Sequence, residues 1–133
     1  MNTDPMAAVH KYINAFNQGD VKEMAAQCAV PASILDGLPP HAWYGPTATE
    51  DWYRDVIAAG AKEGAGDYFV TLSDPRHVEV RGDCAYVVVP ATMKFKVNGN
   101  EVVQTGSTFT LALRQLDDAW RISAWAWAKG ARP

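Results

Sequence analysis

Residues 84–128 read CAYVVVPATMKFKVNGNEVVQTGSTFTLALRQLDDAWRISAWAWA, and apolar side chains alternate with polar ones along much of this segment. Such a two-residue period is typical of β-strands that are buried on one face. Asn98-Gly99 is a dipeptide preferred in tight hairpin turns, and Asp117-Asp118 marks a second turn. The segment therefore predicts three long antiparallel strands, and two shorter runs before it predict two more. The predicted strands cover residues 68–72, 77–81, 84–97, 101–115 and 119–128.

The first half of the chain has the period of helices instead. Asp4 followed by Pro5 predicts a helix start, and Gly19 predicts the end of that helix. Capping boxes at residues 20–23 and 47–50 predict the starts of a second and a third helix, because each pairs a capping side chain with a glutamate three residues later.

The segment between the second and third helices predicts less regular structure. Pro31 predicts the stop of the second helix, residues 33–36 form a short extended piece, and residues 37–46, GLPPHAWYGP, predict a turn-rich loop. Helices followed by a run of strands are typical of the α+β class. We therefore expect one domain over residues 1–133, in which three N-terminal helices pack on one face of a curved antiparallel sheet.

Composition narrows the function classes. The 133 residues carry a net charge of -3, and the 12 lysines and arginines are scattered, which disfavours binding to nucleic acid. No apolar run is long enough to span a membrane and the N-terminus lacks the pattern of a secretion signal, so a cytoplasmic protein without membrane contact is expected. Cys28 and Cys84 show no metal-binding spacing with each other or with histidines, and we predict neither a metal nor a cofactor.

The alternation also predicts which side chains share a face of the sheet. In the fourth predicted strand it places Val103, Ser107 and Phe109 on one face and Gln104 on the other. The face turned away from the helices is small or apolar in the last two strands. Its predicted members are Thr108, Thr110, Ala112, Trp120, Ile122, Ala124 and Ala126. Such an uncovered patch predicts a two-fold homodimer through the sheet.

Three segments resemble a known family. They are AVHKYINAFNQGD at 8–20, SILD at 33–36 and WYGPTATEDWY at 43–53. Their order and spacing resemble those of the Δ5-3-ketosteroid isomerases, which belong to the NTF2-like and SnoaL-like superfamily. The resemblance covers nearly the whole chain and is best over residues 5–57. It implies a cone-shaped α+β domain whose helices and bent sheet enclose an apolar pocket.

The resemblance also implies a set of catalytic roles. Tyr12 takes the place of the tyrosine that donates a hydrogen bond to the substrate carbonyl, and Asp36 takes the place of the general base. Tyr53, which follows Trp52, takes the place of a tyrosine that supports the catalytic one. Ser107 stands where the family has a protonated aspartate as second donor, so this sequence departs from the family there.

A pocket of this kind would take an apolar small molecule. Its predicted wall comprises Phe16, Trp52, Val56, Met93, Phe95, Val103, Phe109, Trp125 and Trp127. The resemblance implies that Trp125 and Trp127 face the ligand, and two bulky rings there would reduce the space for it. His41 lies in the loop over the predicted pocket mouth and is an alternative acid–base group.

The sequence supports three functions. The first is a proton-transfer isomerase for an apolar carbonyl compound, with Asp36 as base, Tyr12 as donor and Ser107 as auxiliary donor. The second is a non-catalytic module that binds an apolar ligand or a partner protein. The third is a cyclase of the polyketide type, which needs similar base chemistry. Taken singly, Tyr12 is equally typical of a core aromatic and Asp36 of a turn residue.

Overall fold

The computed structural model describes residues 4–131, so the two ends of the domain predicted over 1–133 lie outside the described residues. The first half of the chain forms three helices: α1 (Pro5–Gln18), α2 (Val21–Ala26) and, after the first two strands, α3 (Ala48–Glu63). Asp4 caps α1 by accepting from the Met6 amide, and Asp20 caps α2 by accepting from the Glu23 amide. α3 begins where the capping box predicts, but the hydrogen bonds of the capping box do not form. The Thr47 side chain caps no backbone amide, and its hydroxyl donates to the Asp51 carboxylate at 2.9 Å.

Seven strands form one sheet against these helices. They are β1 (Cys28–Leu35), β2 (Ala42–Gly45), β3 (Ala65–Leu72), β4 (His77–Arg81), β5 (Cys84–Val97), β6 (Asn100–Leu116) and β7 (Ala119–Ala128). The strand order is β2-β1-β7-β6-β5-β3, and β4 also pairs with β5. All pairs are antiparallel except β1 with β7, which is parallel. The predicted α+β class, with helices on a largely antiparallel sheet, is confirmed.

Both predicted hairpin turns are confirmed in detail. Val97 pairs with Asn100, so only Asn98 and Gly99 form the turn, and both have positive φ (51° and 84°). Positive φ at both central residues is the property that makes such a turn follow the twist of the strands. The Asp117-Asp118 turn has the same property, with φ of 52° and 64°.

The predictions between α2 and α3 need correction. Strand β1 begins at Cys28 rather than at residue 33, and Pro31 lies inside this strand instead of ending α2. The β1–β7 pairing is interrupted between Cys28 and Ser33, so the missing N–H of Pro31 costs no bond to β7. Residues 42–45 form β2, because Trp43 is buried while its neighbours point outward, which is a strand period within a turn-rich segment.

A bulge in β6 reverses one predicted alternation. Ser107 pairs with Ala91 and Gln104 pairs with Met93, so Thr105 and Gly106 together stand opposite a single residue of β5. Gly106 supplies the positive φ of 75° in this bulge. One extra residue shifts the period, and Gln104 is therefore turned inward and is 4% exposed. The prediction that Val103 shares the inner face with Ser107 is wrong for this reason.

A second register shift, in β7, corrects the predicted outer face. Ala124 pairs with Ala112 and Ile122 pairs with Leu113, which leaves Ser123 as the extra residue. Trp120 and Ile122 consequently point inward, where they are 3% and 0% exposed. They belong to the core, and the outer face carries smaller side chains than predicted. Among the helices formed by residues 4–131, none is long and apolar enough to cross a membrane.

Candidate functional site

A cavity of about 320 Å³ lies between the helices and the inner face of the sheet. Its wall includes ten of the residues predicted for the site, from both helices and strands. These are Tyr12, Phe16, Asp36, Trp52, Val56, Met93, Phe95, Phe109, Trp125 and Trp127. Most of the wall is aromatic or aliphatic, as expected for a site that binds an apolar small molecule.

Asp36 brings a carboxylate to this cavity. It follows the last residue of β1 and is half-buried. Its Oδ1 accepts from the Gly37 amide at 2.8 Å, and its Oδ2 accepts from the Trp52 indole Nε1 at 2.9 Å. Each oxygen keeps a further lone pair. The two donors fix the orientation of a carboxylate that retains the capacity to accept a proton.

Tyr12 brings a phenol to the same cavity from α1. The side chain is 1% exposed, and its hydroxyl oxygen accepts from the Trp125 indole Nε1 at 3.0 Å. Burial raises the pKa of Tyr12 well above its usual range, and the negative charge of Asp36 adds to this effect. The phenol therefore stays neutral. Because Trp125 occupies a lone pair of the oxygen, the hydroxyl proton is left to donate to a ligand.

Two indoles connect these polar groups. The rings of Trp52 and Trp125 meet edge to face, with centroids 4.9 Å apart and planes at 88°. One indole donates to Asp36 and the other to Tyr12. The packing of the two rings thus sets the distance and direction between carboxylate and phenol. Sequence reasoning assigned the tryptophans to the apolar wall and missed their role as donors, although an indole buried in a wall normally needs a partner for its N–H.

Tyr53 does not support Tyr12, contrary to the prediction. It lies on α3 but lines a second cavity, and its hydroxyl lies near Gly19 at the end of α1. The hydrogen-bonding partner of Tyr12 is Trp125 instead. Trp52 and Tyr53 are consecutive residues of α3 and point about 100° apart around its axis, so Trp52 faces the first cavity and Tyr53 the second.

Three further predicted residues do not line the cavity within the described range. Ser107 is 1% exposed, and its hydroxyl oxygen accepts from the Gly130 amide at 3.0 Å. Val103 is displaced from the wall by the bulge in β6. His41 is exposed, and its Nδ1 lies 3.1 Å from the backbone carbonyl oxygen of Asp36 rather than from the carboxylate.

Sequence reasoning missed four polar residues of the wall: Glu63, Tyr68, Gln104 and Lys129. Gln104 reaches it because of the β6 bulge, and a glycine within a strand, here Gly106, is the sequence signal that indicates such a bulge. Lys129 follows β7 and lays its aliphatic stem against Gly37 at the Asp36 end of the cavity. Over residues 4–131, no group of three or more His, Cys, Asp or Glu side chains is placed to hold a metal ion.

The fold and the site define a class: a cone-like α+β domain whose single sheet and three helices enclose an apolar cavity with a carboxylate and a neutral phenol. Residues 6–126 match the family described as the SnoaL-like domain, and the chain belongs to that family. The resemblance to the NTF2-like and SnoaL-like superfamily, stated from the sequence, is thereby confirmed. No curated protein sequence is significantly similar to the chain.

Several solved structures share this fold. A ketosteroid isomerase-like protein from Erwinia carotovora atroseptica is 20% identical, with a TM-score of 0.74 over 93% of this chain and 92% of that chain. A hexachlorocyclohexane dehydrochlorinase from Novosphingobium barchaimii is 15% identical, with a TM-score of 0.77 over 96% and 88%. A protein proposed to be a dehydratase of the NTF2-like family, from Streptomyces avermitilis, is 19% identical, with a TM-score of 0.75 over 92% and 91%. At these identities the likeness shows the fold alone.

Proposed function

We propose that this protein catalyses proton transfer at a carbon atom of an apolar carbonyl compound. One observation carries the proposal: the Asp36 carboxylate and the neutral Tyr12 phenol face the same apolar cavity, and each is oriented by an indole donor. The reactions named for the structural relatives, isomerisation, dehydration and dehydrochlorination, belong to a group that such a site suits.

The mechanism follows from the two groups. Asp36 removes a proton from the carbon next to the carbonyl, and negative charge develops on the carbonyl oxygen. Tyr12 donates to that oxygen and stabilises the enolate without losing its own proton, since burial keeps its pKa high. The protonated Asp36 then returns the proton to the carbon two bonds further on, which moves the double bond into conjugation. The aromatic wall limits the access of water to the enolate.

Asp36 itself can be tested with a generic substrate. We expect the protein to convert 3-cyclohexen-1-one to its conjugated isomer, followed by ultraviolet absorbance, and Asp36→Asn to lower the rate by about 10²-fold or more. Asp55→Asn is a matched control, because Asp55 also accepts from an indole, that of Trp43 at 2.9 Å, but does not line the cavity. Equal rates for the Asp36→Asn variant and the wild type would refute the role of Asp36 as base.

A non-catalytic binding module is the alternative that one observation favours. Ser107, expected to replace the family's second donor, is occupied by Gly130 and lies outside the cavity wall. Ketone binding without isomerisation, and without deuterium uptake next to the carbonyl in heavy water, would favour this alternative. Deuterium uptake without a double-bond shift would favour a cyclase instead, because a cyclase also begins by forming the enolate.

The outer face of the sheet supports a second proposal, a homodimer. From β1 to β5, two cross-strand rows carry no charge on this face. Ser33, Ala124, Ala112 and Tyr86 form one, which continues to Glu79 on β4, and Leu35, Ala126, Thr110 and Val88 form the other. Leu35 is 56% and Tyr86 is 49% exposed. A second copy would cover these apolar side chains. We expect a dimer by light scattering at micromolar concentration and a monomer for Ala124→Arg; a monomeric wild type would contradict the proposal.

A further inference from the structure

Gln104 is an anomaly in the cavity wall. It lies on the inner face of β6, in a cross-strand row with Met93 and Val70, which are apolar. The side chain is 4% exposed, and its Oε1 accepts no hydrogen bond from any residue in the part of the chain that the structure describes. Buried amide oxygens are normally paired, because an unpaired one destabilises the fold.

The backbone turns this amide inward. Without the extra residue of the bulge, the strand period would place Val103 on the inner face and Gln104 outside. The chain therefore combines a bulge, a glycine with positive φ and a buried polar group where an apolar side chain would satisfy the packing. Because Gln104 lines the cavity, a bound ligand can supply the partner that the described residues do not.

The chemistry of the amide narrows what that partner can be. Oε1 needs a donor, and the neighbouring Nε2–H₂ group is itself a donor. A hydroxyl group donates to the first and accepts from the second, so it satisfies both. A carboxylate cannot donate to Oε1, and an ammonium ion cannot accept from Nε2. A neutral hydroxyl also places no charge beside Met93, the apolar residue that pairs with Gln104 across the strands.

We infer that the ligand of this cavity is a hydroxylated apolar ketone whose hydroxyl group hydrogen-bonds to Gln104. The requirement for a ketone rests on the proposed function, in which Tyr12 donates a hydrogen bond to the carbonyl oxygen of the ligand. The hydroxyl requirement rests on Gln104 alone. Gln104 is thus a specificity-determining residue, which selects among ketones of similar shape by one polar group.

Three bicyclic ketones that differ at one position test this inference. They are 6-hydroxy-1-tetralone, which donates and accepts at that position, 6-methoxy-1-tetralone, which only accepts, and 1-tetralone, which does neither. Isothermal titration calorimetry gives the dissociation constant of each. We expect the hydroxy compound to bind the wild-type protein about threefold to tenfold more tightly than 1-tetralone, and the methoxy compound to show no such gain.

Gln104→Met keeps the length of the side chain and removes the amide. We expect this variant to bind 6-hydroxy-1-tetralone and 1-tetralone with equal dissociation constants. It should also bind 1-tetralone at least as tightly as the wild-type protein does. Gln115→Met is the matched control, because it makes the same change on the same strand outside the cavity. It should keep the preference for the hydroxyl, and thermal melting of both variants checks that they are folded.

The inference is overturned if the hydroxyl gives no gain in the wild type, if the gain survives in Gln104→Met, or if none of the three ketones binds. These outcomes are separate from a failure of the proposed function. A protein that prefers the hydroxy compound but does not isomerise 3-cyclohexen-1-one keeps the role of Gln104 and loses the role of Asp36. An active isomerase without the preference keeps Asp36 and loses Gln104.

Discussion

Replacing Tyr12 with phenylalanine removes one oxygen atom from the centre of the site. Two effects are expected. The carbonyl oxygen of the substrate loses its phenol donor, and the Trp125 indole N–H, which now donates to that phenol at 3.0 Å, loses its acceptor in the core. The removal of one donor of this kind typically lowers the rate by about 10²–10³, which corresponds to about 2.7–4 kcal/mol in the activation free energy. The buried indole without a partner should lower the free energy of unfolding by about 1–3 kcal/mol.

The two effects are measured separately. The rate comes from the absorbance assay with 3-cyclohexen-1-one, and the free energy of unfolding comes from urea titration followed by circular dichroism. Tyr53→Phe is the matched control, because it deletes the same atom from a tyrosine that faces the second cavity. A rate for Tyr12→Phe within threefold of the wild type would refute the reasoning, even if the loss of stability is found.

Three further predictions concern the frame of the site. Burial raises the pKa of the Cys28 thiol from 9.0 to about 11, so the unfolded chain releases this proton at lower pH than the folded protein. The free energy of unfolding should therefore fall by about 2 kcal/mol between pH 9 and pH 11, and Cys28→Ala should reduce this fall in a pH series of urea titrations. Gly106→Ala should cost about 1–2 kcal/mol, measured in the same way, because the bulge requires a φ of 75° although no atom lies within 4 Å of the added methyl group. Ser107→Asp should lower the melting temperature without raising the isomerisation rate, since the position is 1% exposed and lies behind the cavity wall next to Gly130; a faster enzyme would contradict this placement.

Sequence reasoning predicted the parts of the fold that depend on local signals. The caps at Asp4 and Asp20, the left-handed end of α1 at Gly19 and the Asn98-Gly99 hairpin are each determined by neighbouring residues, and they are where the sequence places them. The alternation in β5 and β6, together with the helical period of the first half, was sufficient to predict the class of fold. It was not sufficient to predict β2, whose four residues become a strand only because β1 lies beside them.

The functional roles of the site residues stay predictions, but the structure shows which of these residues line the cavity. Tyr12 and Asp36 both reach the cavity, as the resemblance implied. Errors arose where one extra residue in a strand reversed the side of the sheet on which the preceding side chains lie. In β6 this turns Gln104 inward instead of Val103, and in β7 it places Trp120 in the core. A register shift depends on the pairing of strands that are distant in sequence, so a pattern read along one strand does not reveal it.

The parallel pairing of β1 with β7 has a consequence for the synthesis of the protein. Ile34 lies beside Trp125, and Trp125 meets Tyr12 across 113 residues of chain. A nascent chain that still has β7 within the ribosome has already exposed Tyr12 and Asp36 but lacks the Trp125 indole that orients the phenol. Contacts this far apart in sequence form late and slow the folding of a domain. Binding competence therefore requires that β7 has been translated, and a fragment that stops before β7 would leave the apolar side of α1 uncovered.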